Sequence, residues 1–136
     1  MQIAQLDTAG AGTAGAVTGA ARRWLRIEGL AALAAGVALY LAYGGQLIWL
    51  VPLVLAVDIS MAGYLRGPGA GSLVYNLAHN QALGLLVLGL GLATGTVAAT
   101  LGGAVLVAHV GMDRLVGYGL KYPTDFRDTH LGRIGR

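Results

Sequence analysis

Four apolar stretches, each close to the length of a bilayer crossing, dominate this chain. They run from about Trp24 to Tyr43, Leu47 to Leu65, Ser72 to Ala93 and Thr96 to Gly117. A spanning helix needs about 20 apolar residues, because the hydrocarbon core is about 30 Å thick and a helix rises about 1.5 Å per residue. Short connections separate the stretches: Gly44-Gly45-Gln46, Arg66-Gly67-Pro68-Gly69-Ala70-Gly71 and Thr94-Gly95. Connections this short make consecutive helices antiparallel neighbours. The expected fold is therefore all-α, an integral membrane four-helix bundle with up-down-up-down topology. Composition agrees: 56% of residues are hydrophobic and 11% charged, against about 25% charged in a typical soluble domain. A length of 136 residues leaves room for one domain. The absence of cysteine removes disulfides, thiolate ligands and a cysteine nucleophile.

Charge placement sets the expected orientation. Arg22, Arg23 and Arg26 precede or open the first stretch, Arg66 lies in the middle connection, Arg114 ends the fourth stretch, and Lys121, Arg127, Arg133 and Arg136 lie in the tail. All fall on one side of the expected bilayer, and the two opposite connections carry no charge. The positive-inside rule then puts both termini in the cytoplasm. Trp24 and Trp49 sit near span ends, as interfacial anchors do. Residues 1–21 are Ala/Gly/Thr-rich, lack the basic region and continuous apolar core of a secretory signal, and read as a disordered tail. The expected division is 1–21, a four-span domain over 22–119, and a cytoplasmic tail over 120–136. Small residues four apart (Ala31 and Ala35, Ala32 and Gly36, Gly91 and Gly95, Ala98 and Gly102) predict close helix approach.

Five ionisable residues interrupt the apolar stretches: Glu28, Asp58, His79, His109 and Asp113. Counting along antiparallel helices at about 1.5 Å per residue puts all five in the cytoplasmic half. A charge in the bilayer costs about 3 kcal/mol on insertion scales, so such residues usually face the bundle interior and serve function. His109 and Asp113, four apart, share one helix face. Asn76, His79 and Asn80 give the third span a polar face, and Tyr75 stands one turn before His79, placed to orient its ring. Two imidazoles with two or three carboxylates suit a divalent first-row transition metal: zinc, manganese or iron. The expected ligands are Asp58, His79, His109 and Asp113. A carboxylate left over, Asp113 or Glu28, would act as general base or outer partner. A b-type haem held by the two histidines is a rival, which the neighbouring carboxylates disfavour. A polar lock that only joins helices is another.

The tail, Gly117-Tyr118-Gly119-Leu120-Lys121-Tyr122-Pro123 followed by Thr124-Asp125-Phe126-Arg127-Asp128-Thr129-His130-Leu131-Gly132, is expected to fold over the cytoplasmic mouth of the bundle. His130 is a candidate further ligand or proton carrier. Lys121 and Arg127, with Tyr75 and Asn76, are candidates for holding an anionic group.

These blocks carry a resemblance. Asp58-Ile59-Ser60-Met61-Ala62-Gly63-Tyr64, Tyr75-Asn76-Leu77-Ala78-His79, Ala108-His109-Val110-Gly111-Met112-Asp113-Arg114 and the tail motif resemble a small bacterial four-helix membrane family of unknown function, over about residues 24–134. More distantly the chain resembles the membrane-bound metal-dependent hydrolase-like proteins, in the order Asp58, His79, then His109 with Asp113. It departs from them where Asp58-Ile59-Ser60-Met61 stands in place of a second Asp and a His, with His130 as the candidate replacement.

The function expected on these grounds is a metal-dependent membrane hydrolase acting on a membrane lipid or lipid-linked substrate at the cytoplasmic leaflet. A proton- or ion-coupled carrier, or a structural subunit, is the alternative. A carrier needs polar groups through the whole thickness, whereas the outer halves of the spans offer only Gln46, Thr96 and Thr100 as polar candidates. Homo-oligomers are compatible with the chain. Nucleic-acid binding is not expected, since the basic residues spread along a membrane interface.

Overall fold

The computed structural model describes residues 15–135. Within them the chain forms α1 (Gly19–Ala42), α2 (Leu47–Ala56), a 3-10 segment (Val57–Arg66), α3 (Pro68–Ala78), α4 (Gln81–Thr94) and α5 (Val97–Val116). A small hairpin of β1 (Asp128–Thr129) and β2 (Gly132–Arg133) follows. Four helical units are long and apolar enough to cross a membrane: Gly19–Ala42, Leu47–Arg66, Pro68–Thr94 and Val97–Val116.

Two of these units are not continuous α-helices. The second changes pitch after Ala56, one turn beyond Pro52. Proline has no N–H to give to the ladder and crowds the preceding turn, and the chain continues as a 3-10 helix carrying Asp58. The third was expected as one helix over 72–93. It starts earlier, at Pro68, a favoured first helical residue, and it breaks at His79–Asn80. Asn80 caps both sides of the break. Its side-chain oxygen accepts from Leu83 N–H at 2.9 Å, capping α4, while Nδ2 donates to the carbonyls of Asn76 (2.9 Å) and Leu77 (2.8 Å), capping α3. Four orphan backbone groups at each helix end need such partners, and a break without them would be expensive in an apolar setting. The expected polar face of Asn76, His79 and Asn80 is therefore divided among separate tasks.

Helix α5 is the axis of the molecule. It packs along α1 on one side and α4 on the other, and α1 and α4 make little direct contact. The close approaches are backbone on backbone. A Cβ on Gly36 would lie 2.7 Å from Ala104 O, one on Gly111 2.4 Å from Leu33 N, and one on Gly103 2.3 Å from Leu88 N. Of the small pairs read from the sequence, Gly36 and Gly91 lie at such crossings, while Gly95 and Gly102 meet nothing. The spacing marks small residues without fixing which face of the helix they occupy. The core is Tyr40, Leu50, Leu88, Ala104, Val105 and Val107. The arm formed by the 3-10 segment and α3 packs on itself and meets α5 mainly through side chains, and those side chains form the site.

The tail lies back on the bundle. Asn76 clamps it from both sides: Nδ2 donates to Lys121 O (2.9 Å) and Lys121 N–H donates to Oδ1 (2.7 Å). Val17 N–H donates to His130 O at 2.7 Å and Tyr122 hydroxyl to Gly15 O at 3.1 Å. Residues 15–18 thus run along the tail, and α1 has begun by Gly19. Residues 1–14 of the expected disordered segment lie outside the described residues.

Candidate metal centre

Asp58 comes from the 3-10 segment, His79 from the residue that closes α3, and His109 and Asp113 from successive turns of α5. Their tips meet. His79 Nε2 lies 2.9 Å from His109 Nε2 and 3.2 Å from Asp58 Oδ1. His109 Nε2 lies 3.5 Å from Asp58 Oδ1, and Asp113 Oδ2 is 3.8 Å from His79 Nε2 and 3.6 Å from His109 Nε2. Ligands held about 2.0–2.1 Å from a tetrahedral zinc stand about 3.3 Å from one another. The separations of 2.9–3.8 Å bracket that edge length. Asp58, His79 and His109 by themselves offer donor atoms within 4.8 Å of one another. Both imidazoles are fully buried.

The surroundings orient the donors. His79 Nδ1–H donates to the Tyr75 carbonyl at 2.9 Å, with Ser60 Oγ 3.4 Å away, so the lone pair of Nε2 faces the cluster. The Tyr75 ring stacks on the His79 ring at 3.6 Å, and its hydroxyl donates to Asp113 Oδ2 at 2.9 Å. Arg114 reaches across to the His79 carbonyl (2.9 Å) and to Tyr118 O (2.7 Å), satisfying the broken end of α3. His109 Nδ1 is buried without a hydrogen-bond partner among the described residues. The two Nε2 atoms stand side by side, not on opposite faces of one iron, so the haem arrangement is excluded.

A cavity of about 270 Å³ opens beside the cluster, lined by Asp58, Tyr75 and Asp113 and walled by Met61, Met112 and Phe126. Lys121 lines it too and is 4% exposed. Its Nζ donates to Phe126 O at 2.7 Å and lies 3.8 Å from the Phe126 ring centroid and 5.0 Å from that of Tyr75. Burial pushes this ammonium down from 10.5 to about 8, against the pull of the Asp113, Asp58 and Asp125 carboxylates. A cation beside two carboxylates and two imidazoles can bind an oxyanion as well as support a metal.

Other expected site residues are elsewhere. Glu28 is exposed on α1, across α5 from the arm that carries Asp58 and His79, and lines a different cavity. His130 lines that same cavity and is no member of the cluster. Its Nδ1 accepts from Leu120 N–H at 2.8 Å, and burial, then Arg114, lowers its pKa. Arg127 is exposed, with its backbone engaged by Asp125 and Ile134. Tyr75 and Asn76, expected to hold an anion, have their polar atoms committed to Asp113 and to the Lys121 backbone. The sequence reading missed Arg114 as the cap on His79, and Met61, Met112 and Phe126 as cavity walls. Apolar residues in an apolar span carry no signal of such a role.

Comparison with curated proteins gives no match, and comparison with solved structures gives none either. Residues 22–134 match the family described as a domain of unknown function (DUF4260), and the chain belongs to that family.

Proposed function

We propose that this protein is a metal-dependent membrane hydrolase that acts on a lipid or lipid-linked ester or phosphoester at the cytoplasmic surface of the bacterial inner membrane, with both termini in the cytoplasm. The observation that carries the reading is the convergence of two imidazole nitrogens and an Asp58 carboxylate oxygen within 4.8 Å of one another, from three separate elements, with Asp113 Oδ2 3.6–3.8 Å from both nitrogens and an open cavity alongside. The donor set fits zinc, manganese or iron. A bound metal would supply an activated water and polarise a carbonyl or phosphoryl oxygen.

The chain's own groups have distinct roles. His79, His109 and Asp58 hold the ion, with His79 fixed by the Tyr75 carbonyl. Asp113, oriented by the Tyr75 hydroxyl, completes the set or takes the proton of an attacking water. Lys121 Nζ draws the anionic oxygen of the substrate into the cavity, whose thioether and aromatic walls suit an apolar tail. The apolar spans supply lipid access, and the hairpin tail roofs the cavity.

Metal content of the detergent-purified protein, measured beside a His79→Ala/His109→Ala variant, tests this. About one ion per chain, lost in the variant, followed by Asp113-dependent cleavage of a chromogenic phosphoester or ester, is the expected result. Full metal stoichiometry in His109→Ala and Asp58→Asn refutes it. Absence of metal from both proteins moves the reading to a hydrogen-bonded lock, in which a proton bridges the two Nε2 atoms.

A further inference from the structure

The two expected catalytic residues that do not reach the metal centre, Glu28 and His130, line one cavity together. It is a groove of about 520 Å³ between α1 and α4, beside α5. Its polar groups are Glu28, Gln81, Arg114 and His130, while Ala31, Ala35, Leu85 and Val107 make apolar wall. Along α1, Glu28 precedes Ala35 by about two turns, and along α4 Gln81 precedes Leu85 by about one. The groove is therefore polar at one end and apolar along its length.

His130 Nδ1 accepts from Leu120 N–H, so the proton of the neutral ring resides on Nε2, a donor. Glu28 is an acceptor and Arg114 a cation. The site thus pairs an acidic group with a cation and an N–H donor. A ligand that complements both halves carries a primary ammonium for Glu28, a phosphate for Arg114 and His130 Nε2–H, and an acyl chain for the wall. We propose that this groove is a binding site for a zwitterionic amine phospholipid, distinct from the metal centre. It does not depend on the hydrolase reading, because none of the four cluster residues lines it.

The test uses the full chain in vesicles of equal phosphatidylethanolamine and phosphatidylglycerol, followed by extraction in mild detergent and quantification of the lipid retained per chain. Selective retention of phosphatidylethanolamine is expected. Glu28→Gln, at an exposed position, removes one charge-assisted contact and should weaken retention about tenfold. Ala35→Trp, also at an exposed position, should plug the wall and abolish retention of both lipids. Thermal melts establish that each variant is folded, and metal content on the same samples reports separately on the cluster. Equal retention of the two lipids, or retention untouched by both variants, overturns the proposal. So does a dimer that Ala35→Trp splits, since a second copy would then occupy the groove.

Discussion

Tyr75→Phe isolates one hydrogen bond at the candidate metal centre. The ring stacked on His79 at 3.6 Å remains, and so does the backbone carbonyl that takes the His79 Nδ1 proton. Only the hydroxyl that donates to Asp113 Oδ2 at 2.9 Å is lost, at a residue 3% exposed. Water has little access to replace it. A hydrogen bond to a charged group contributes about 1.5–3 kcal/mol. Expressed as an equilibrium, that is about 10- to 100-fold, the range seen when an outer partner of a metal ligand is removed. Metal affinity of Tyr75→Phe should therefore fall by about 10- to 100-fold, with stoichiometry unchanged. Competition against a fluorescent chelator in detergent measures it. Tyr75→Leu, which also loses the stacked ring, should fall further. An affinity within about threefold of the parent for Tyr75→Phe would refute the idea that Asp113 is held for the metal by this hydroxyl, since that difference is under 1 kcal/mol.

Lys121→Met preserves the bulk of the side chain and should leave metal content intact while raising KM for an anionic substrate; in the parent, KM should rise as pH passes through about 8 and the ammonium is lost. The same group makes stability pH-dependent. Its folded pKa lies below its ordinary 10.5, so between about 8 and 10.5 the unfolded chain binds more protons, and stability should increase with pH across that window. Detergent melts of parent and Lys121→Met across that window check this, the variant showing the shallower rise. Asn76→Ala removes both clamps on the Lys121 backbone, and limited proteolysis should cut the tail at least several-fold faster, at a stability loss of about 1–3 kcal/mol. Gly103→Val puts a side chain against the α4 backbone, where even a Cβ meets Leu88 N at 2.3 Å, and should prevent recovery of folded protein, whereas Gly102→Val, with nothing within 4 Å, should be recovered normally.

The sequence alone determined position along the helix axes. Apolar run length placed the four long apolar helical units, and counting from their ends put Asp58, His79, His109 and Asp113 at one level. The i,i+4 spacing put His109 and Asp113 on one face. Rotation about each axis was set only by tertiary packing. Glu28 was read at the level of the cluster, yet α1 approaches α5 through Gly29, Gly36 and Gly111. Gly111 lies two residues from both His109 and Asp113, about 200° around an α-helix, so α1 and Glu28 sit behind the cluster. The break at His79–Asn80 was equally hidden, because an apolar run containing one histidine and two asparagines reads as one span until the caps supplied by Asn80 and Arg114 are in place. His130 was legible as chemistry and misplaced as geometry. Hydropathy is a one-dimensional signal fixed by the bilayer's thickness, and the direction in which a side chain points is decided by which helix surfaces can touch.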